Sequence, residues 1–262
     1  MAHTLYENFV LENKLTDLLN TKLNVRSLMT IDDSLTEEAG MKKVINTYSY
    51  NGQVEQVANR QGCSQMGAAS FTKKEYTVKT AQGRFDYSDE EAMQDPMVVD
   101  TCMNGQATVM VNDMNSKYFA ELAKANLNHE YATKFSYDAV VDAIQLMNLE
   151  DESGLFLIIG TDLKAVVRKD AEFKSAQMGE ILFNGQIGTI CGVPVIVSKL
   201  TPEDTAYLAT KEAVTLFVKK ESEIEQERDA NTRVNTVYMR KVNVMALTDA
   251  TKVVKITKSA GK

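Results

Sequence analysis

The sequence predicts an α+β protein, and three observations lead to that class. One long amphipathic pattern, at 95–124, has the spacing of a helix. Short apolar runs at 155–159 and 193–197 have the length of buried strands. The chain closes with two segments typical of strands, 234–247 and 253–256. A long helix, a region of alternating helices and strands, and late strands are therefore expected in one chain.

Composition excludes several classes of protein. The 262 residues hold 29 Lys and Arg against 36 Asp and Glu, and this net charge of −7 disfavours a broad surface for nucleic acid. No apolar run approaches the roughly 20 residues of a membrane helix, and the first residues lack the pattern of a secretory signal. The cysteines Cys63, Cys102 and Cys191 lie far apart, which fits free thiols in a reducing compartment. Synthesis and residence in the cytoplasm are therefore expected.

The first part of the chain predicts an arm followed by a protruding hairpin. Residues 1–35 hold apolar clusters at the spacing of one or two helical turns: Leu15, Leu18, Leu19 and Leu23. The pair Asn51-Gly52 is a strong signal for a hairpin turn. The polar segment 59–70 has too little apolar mass to form a core. We expect a long polar hairpin that extends from the body.

A capping box at Ser88 marks the start of the long helix. The Ser88 hydroxyl can accept a hydrogen bond from the Glu91 N–H, and the Glu91 carboxylate can accept one from the Ser88 N–H. Asp95-Pro96 then restarts the helix, because proline loses no hydrogen bond at a first helical position. Steps of three and four predict an apolar stripe: Val99, Met103, Ala107, Met110, Met114, Tyr118 and Leu122. We interpret the stripe as core, since methionine fills irregular gaps.

Helices and strands alternate between 135 and 220. Ser136 is expected to cap one helix, and Thr161 with Asp162 to cap a second, shorter one. The run 155–159 is expected to be a buried strand, and two further short strands are expected at 207–208 and 216–218. These elements predict an inserted lobe between the long helix and the late strands.

The run 219–229 is strongly charged and has a period of two. Its glutamates recur at every second position: Glu221, Glu223, Glu225 and Glu227. This spacing places them on one face of an extended strand, where they must be solvated or matched by cations. Arg228, Arg233 and Arg240 are the nearest candidates for pairing across subunits.

Two glycine-containing segments leave an anion-binding enzyme open as an alternative. The segment 160–164 follows a strand and opens a helix, which is where anions bind, although an ordinary helix cap also explains it. Gly185, Gly188 and Gly192 lack the spacing of a phosphate loop and fit turns better. With two histidines and no recognisable Ser/His or Cys/His pattern, no catalytic, cofactor-binding or metal residues are predicted.

The order of these parts resembles the major capsid proteins of tailed double-stranded DNA bacteriophages. Their Hong-Kong-97-like fold is shared with encapsulin shells. The matching stretches are 88–91, 156–161, 185–198, 206–214 and 225–229. The resemblance extends over nearly the whole chain.

The resemblance implies a division into six segments. They are an N-terminal arm at 1–35, a first peripheral part at 36–47, an extended hairpin loop at 48–85, a peripheral segment with the spine helix at 86–134, an axial domain at 135–220 and returning peripheral strands at 221–262. Seven residues of the hairpin and the late strands are expected to make assembly contacts: Lys73, Lys74, Lys79, Glu227, Arg228, Asp229 and Arg240. The lysines are noted because some family members crosslink a loop lysine to a neighbour's asparagine.

The implied function is that of a non-enzymatic major capsid protein. Such a protein self-assembles through hexamers and pentamers into the icosahedral head shell of a virion, formed in the cytoplasm of the bacterial host. The implied partners are further copies, a portal, and packaged double-stranded DNA without sequence-specific contact. A separate scaffolding protein is implied because only 87 residues precede the capping box, unless a propeptide lies upstream of this sequence. An encapsulin-type compartment around a cargo enzyme is the alternative.

Overall fold

The computed structural model describes residues 25–37, 39–64, 66–150, 152–169 and 188–259. Leu15, Leu18, Leu19, Leu23 and Gly185 lie outside these ranges. Within them, the helices are α1 (Asp89–Gln94), α2 (Val98–Leu122), α3 (Tyr137–Met147) and α4 (Thr161–Lys169). None of these helices is long and apolar enough to cross a membrane.

The strands of the described part fall into three sheets. Their bounds are β1 (Thr30–Asp32), β2 (Lys42–Tyr50), β3 (Ala69–Thr77), β4 (Lys79–Ser88), β5 (Leu127–Tyr131), β6 (Leu155–Ile159), β7 (Thr189–Ile190), β8 (Val193–Val197), β9 (Thr205–Thr210), β10 (Val214–Asp229), β11 (Val234–Leu247) and β12 (Val253–Lys258). Short 3-10 turns precede β1, β2 and β12.

A four-stranded sheet, in the order β1-β10-β11-β4, packs one face against the long helix α2. The pairs β10–β11 and β11–β4 are antiparallel. Met103 and Tyr118 of α2 are fully buried in the same core as Val237 and Met239 of β11. The interpretation of the methionine stripe as core is therefore confirmed.

The capping box predicted at Ser88 is present, but it opens a separate short helix. Ser88 Oγ accepts from the Glu91 N–H at 3.1 Å, and Glu91 Oε2 accepts from the Ser88 N–H at 2.9 Å. Asp95 is extended, because the residue before a proline avoids the helical region. Asp95 Oδ1 accepts from the Met97 N–H at 2.9 Å. The helix α2 then runs for 25 residues, a length of about 38 Å.

The six-stranded sheet, in the order β5-β12-β9-β6-β8-β7, is buried on both faces at its centre. Phe156 and Ile158 of β6 belong to the core around α2. Leu155, Leu157 and Ile159 belong to a second core, which α3 and α4 cover. A strand buried on both faces needs an unbroken apolar run, so the strand predicted at 155–159 is confirmed.

Sheet membership differs from the predicted boundaries at three places. β5 precedes the predicted lobe and β12 follows it, yet both belong to the six-stranded sheet, where β12 also pairs with β9. The predicted boundary at 220 falls inside β10, which pairs with β11 on both sides of that position. The strand expected at 216–218 is therefore the first part of a 16-residue strand. Pairing joins segments far apart in the chain, and local propensity does not encode it.

The described end of the predicted arm packs against the body. Val25, Leu28 and Leu35 are buried. β1 pairs in parallel with β10, and Arg26 forms an ion pair with Glu221 of β10. Residues 25–35, the described end of the predicted arm, are therefore packed on the four-stranded sheet.

Two local signals in the inserted region have different outcomes. α3 begins directly after Ser136, but the Ser136 hydroxyl makes no capping hydrogen bond, so that detail of the prediction is wrong. The turn between β7 and β8 consists of Cys191 and Gly192, both with positive φ, as a two-residue hairpin turn of type I′ requires. The interpretation of Gly192 as a turn glycine is confirmed.

We expect the free energy of unfolding to rise by about 1.5 kcal/mol between about pH 8 and pH 9.5 because of Lys241. This side chain on β11 is buried, and burial lowers its pKa to about 8, with Arg26 lowering it further and Glu221 opposing the shift. The unfolded lysine has a pKa of about 10.4. In this window the unfolded chain binds more protons, so stability increases with pH. Urea unfolding at a series of pH values measures the effect.

Lys241→Met should remove this dependence, because the titrating group is gone. Lys199→Met, at an exposed lysine, is the matched control and should keep it. A slope of wild-type size in the Lys241→Met variant would contradict the assignment.

Candidate assembly surface

The β2–β3 hairpin forms a two-stranded sheet of its own. Its register runs from the pair Lys42–Thr77 to the pair Tyr50–Ala69. The hairpin therefore occupies 42–77 rather than 48–85, because β4 belongs to the four-stranded sheet. The two-residue turn predicted at Asn51-Gly52 is wrong, since the segment 51–68 joins the strands. Asn51 and Gly52 open this longer loop.

The two faces of the hairpin differ in chemistry. Alternation along the strands places Tyr48 and Tyr50 on one face, and the register puts Phe71 directly opposite Tyr48. The rings of Tyr48 and Phe71 are 6.2 Å apart between centroids. The other face carries hydroxyl side chains near the tip, namely Ser49, Ser70 and Thr72. We call these the aromatic face and the hydroxyl face.

The aromatic face is left open to solvent. Tyr48 is 71% exposed, Tyr50 is 73% exposed and Phe71 is 67% exposed. In the loop beyond them, Val54 and Met66 are almost completely exposed. Aromatic side chains can bury about 150–250 Å² each, and a lone two-stranded hairpin is marginally stable in water. This surface is therefore suited to burial against another molecule.

The base of the hairpin is fixed to the four-stranded sheet. The Tyr76 hydroxyl donates to the Leu247 carbonyl at 3.3 Å. Lys43 Nζ donates to Ser34 Oγ at 2.8 Å and lies 5.5 Å from the centre of the Phe217 ring. These contacts hold the root of the hairpin on the body while its distal part projects.

The tip loop is closed by its own polar contacts. Asn51 Oδ1 accepts from the Ala68 N–H at 3.0 Å, and the Asn51 N–H donates to the Ala68 carbonyl at 3.2 Å. The Glu55 carboxylate accepts from the Ser64 N–H at 2.8 Å. The Tyr50 side chain lies over Gly52, where a Cβ would come within 2.2 Å of the Tyr50 hydroxyl oxygen. The loop is thus preorganised without an apolar core.

The predicted lysines fall on two sheets and on different faces. Lys73 lies on the aromatic face and pairs with Glu75 at 2.9 Å, while Lys42 lies 3.6 Å from the same carboxylate. The hydrogen bond and charge of Lys73, with the charge of Lys42, lower the pKa of Glu75. Lys74 is exposed on the opposite face. Lys79 is exposed on β4, opposite Asn243, so it lies outside the hairpin in which it was expected.

The late strands supply an acidic outer face, but it holds three of the four glutamates predicted for 221–227, because a bulge takes Glu221 out of phase and Glu221 pairs with Arg26. Beyond the bulge between Lys220 and Glu223, three glutamates share one face: Glu223, Glu225 and Glu227. Glu223 is paired with Arg240 of β11, and hydrogen bonds from Lys220 and Arg240 lower the Glu223 pKa. Glu227 accepts from the Tyr238 hydroxyl at 3.3 Å. Arg240 is thus paired within the chain, and its assembly contact stays a prediction.

The other predicted residues of the late strands lie at or beside the turn between β10 and β11. Asp229 accepts from the Asn231 N–H at 2.8 Å and from the Thr232 hydroxyl at 2.9 Å, and these hydrogen bonds lower its pKa. Arg228 Nη2 donates to Asp89 of α1 at 2.7 Å. The side chain of Arg233 is exposed. Within the chain Arg228 is therefore paired with Asp89, and its contact across subunits stays a prediction.

We expect Asp89→Ala to lower the free energy of unfolding by about 2 kcal/mol. Asp89 is buried, and its carboxylate accepts from Arg228 at 2.7 Å and from Asn235 Nδ2 at 2.9 Å. Its removal leaves the buried Asn235 amide without this acceptor. Asp86→Ala, at an exposed position of β4, is the matched control and should change stability by less than about 0.5 kcal/mol. Equal urea midpoints for the two variants would contradict this role.

The segment 160–164 does not form an open anion site. Asp162 Oδ2 accepts from the Asp204 N–H at 2.7 Å, and the other carboxylate oxygen lies 2.2 Å from where a Cβ on Gly160 would stand. The chain's own carboxylate therefore occupies the start of α4 and would repel an anion. Within the described ranges, no group of three His, Cys, Asp or Glu residues could hold a metal ion.

The aromatic face is a feature of the site that the sequence patterns above do not predict. Nothing in the sequence around Asn51-Gly52 marks Tyr48, Tyr50 and Phe71 as exposed. The alternation of Tyr48, Ser49 and Tyr50 was the available signal, because a period of two separates two faces. Aromatic residues on the face away from the body could have been found only with the strand register known.

Comparison with known proteins defines the class. A family described as phage capsid protein matches residues 72–256 of the 262. The chain therefore belongs to the phage capsid protein family. The matched region begins in β3 and ends in β12, so it includes α2 and the central strands of both large sheets.

Individual relatives agree with this class. The major capsid protein of Staphylococcus phage phiMR11 is 26% identical over 250 residues, which cover 93% of this chain and 90% of that protein. A solved chain from Microbacterium phage Oxtober96 has a TM-score of 0.73 at 10% identity, covering 90% of this chain and 91% of that chain. A chain of the mature capsid of bacteriophage PhiM1 has a TM-score of 0.71 at 8% identity. The match covers 90% of this chain and 87% of that chain.

The α+β, Hong-Kong-97-like fold class is thereby confirmed. The chain has the function of a major capsid protein of a tailed phage, which is structural, and it is not an enzyme.

Proposed function

We propose that this chain self-assembles through hexamers and pentamers into the icosahedral head shell of a phage virion, with its β2–β3 hairpin lying on a neighbouring copy. One observation carries the proposal: the hairpin has aromatic side chains about 70% exposed on a two-stranded sheet. In a closed shell the same contact repeats around every copy, so many modest interfaces add up.

The three sheets support a division of the shell subunit into segments. We assign residues 42–77 to the extended loop, and α2 with the four-stranded sheet to the peripheral domain. We assign the six-stranded sheet with α3 and α4 to the axial domain. These assignments move β5 and β12 from the predicted peripheral domain to the axial domain, because they pair with each other and with β9.

The remaining partners are proposed from the resemblance to the family. They are a separate scaffolding protein, a portal, and double-stranded DNA held without sequence-specific contact, with assembly in the bacterial cytoplasm. The net charge of −7 supports weak contact with packaged DNA, since a negative shell does not grip phosphates.

Sedimentation velocity and negative-stain electron microscopy test the assembly. The protein is expressed alone and together with a candidate scaffolding protein. Closed shells, or rings of six and five subunits, are the expected result. A compact monomer or dimer in both preparations would contradict the proposal. Shells that hold a protein cargo and exclude nuclease-resistant DNA would favour the compartment alternative.

A further inference from the structure

A second exposed apolar surface lies at the junction of α1 and α2. Met93 is 63% exposed and Met97 is 61% exposed, on either side of Asp95-Pro96. The break in the helix at the proline leaves the whole stretch 93–97 exposed. Exposed methionines favour contact with aromatic rings, because the thioether is polarizable and the side chain adapts its shape.

The hairpin and this junction carry opposite charges. Segment 41–77 has five basic and two acidic residues. Segment 89–100 has five acidic residues and no basic one: Asp89, Glu90, Glu91, Asp95 and Asp100. Arg228 offsets one of these charges by its pair with Asp89. The hairpin segment remains net positive and the junction remains net negative, so the hairpin of one molecule is attracted to the junction of another.

The hydroxyl face does not offer the same match. Near the tip it presents Ser49, Ser70 and Thr72, which lose hydration when buried without partners, and it carries the exposed Lys74 but no aromatic ring beside these hydroxyls. The aromatic face joins the rings of Tyr48 and Phe71 with Lys42 and Lys73, which share an ion pair with Glu75 on the same side and leave one net positive charge there. Burial of the aromatic face therefore removes more apolar surface from water than burial of the hydroxyl face. It also places the hairpin lysines beside the carboxylates of the junction.

We infer that the aromatic face of one copy's hairpin docks on the Met93–Met97 surface at the α1–α2 junction of a second copy. The inference rests on the proposed function, because it assumes that copies assemble. It names both sides of the contact: Tyr48 and Phe71 against Met93 and Met97, with lysines of the hairpin near Glu90 and Asp95. The hydroxyl face is then turned away from the neighbour.

Disulfide trapping tests which face docks. Phe71→Cys and Met97→Cys are combined in one chain, and shells are purified before mild oxidation. A disulfide between these two positions of different copies is expected, seen as a ladder of linked chains and identified by mass spectrometry. That identification separates it from bonds of Cys63, Cys102 and Cys191. The matched control combines Thr72→Cys with Met97→Cys and should give no such link.

Each outcome decides the inference. Shells that link through position 72, or through neither position, would overturn it and leave the proposed function standing. Failure of the wild-type chain to form shells would overturn both. If only the double variant fails to assemble, carbodiimide treatment of wild-type shells replaces it, since this reagent joins touching lysines and carboxylates. Links from Lys42 or Lys73 to Glu90 or Asp95 between copies support the docking, and their absence overturns it.

Discussion

Replacing residues 47–72 by a two-residue Asn-Gly turn is expected to abolish shells while the subunit stays folded. Asn46 and Lys73 are register partners, so a type I′ turn can join them without strain. The excision removes the aromatic face and the tip loop. It keeps Lys43, Ile45 and Tyr76, which hold the base of the hairpin on the four-stranded sheet. Sedimentation velocity measures assembly, and urea unfolding measures the stability of the subunit.

A shortened chain that still forms closed shells would contradict the role of the hairpin. The comparison needs a control in which the hairpin is present but the hydroxyl face is altered. Ser49→Ala with Thr72→Ala serves this purpose, because both residues are exposed on that face. This control should assemble like the wild type. Loss of shells in the control would mean that the hydroxyl face is also needed for assembly, which contradicts the proposed role of the aromatic face alone.

Tyr118→Ala is expected to lower the free energy of unfolding by about 4 kcal/mol. The Tyr118 side chain is completely buried on α2, and its ring meets Phe119 edge-on with the centroids 5.8 Å apart. Its removal leaves a cavity in the core between α2 and the sheets. Such a loss is a large part of the 5–15 kcal/mol that stabilises a typical domain. Urea unfolding by circular dichroism measures it.

Tyr118→Phe separates the ring from the hydroxyl. The hydroxyl oxygen is 3.5 Å from the Leu28 carbonyl, which is a long hydrogen bond. We therefore expect a loss below about 1 kcal/mol for this variant. A larger loss for Tyr118→Phe than for Tyr118→Ala would contradict the view that ring burial dominates at this position.

Local signals in the sequence predicted much of the fold. The capping box at Ser88 depends on residues three apart, and the structure shows both of its hydrogen bonds. The run 155–159 was recognisable because a strand covered on both faces must be apolar throughout. The methionine stripe of α2 was recognisable because helical periodicity is also local. In each case the physical cause lies within a few residues of the signal.

Long-range pairing was not predictable in the same way. β12 lies in the six-stranded sheet because it pairs with β5 and β9, and no local feature distinguishes it from β11. The Asn51-Gly52 pair favoured a short turn, but the register between Tyr48 and Phe71 sets a longer loop. The exposure of the aromatic face follows from that register. The face that we expect to mediate assembly was therefore the part least visible in the sequence.

Cryo-electron microscopy of assembled particles tests the central claim most directly. The measurement locates the β2–β3 hairpin of each copy relative to its neighbours. We predict that the hairpin extends over an adjacent copy in hexamers and pentamers, with Tyr48 and Phe71 buried at the contact. Particles in which the hairpin folds back on its own subunit, or in which both rings remain in solvent, would contradict the claim.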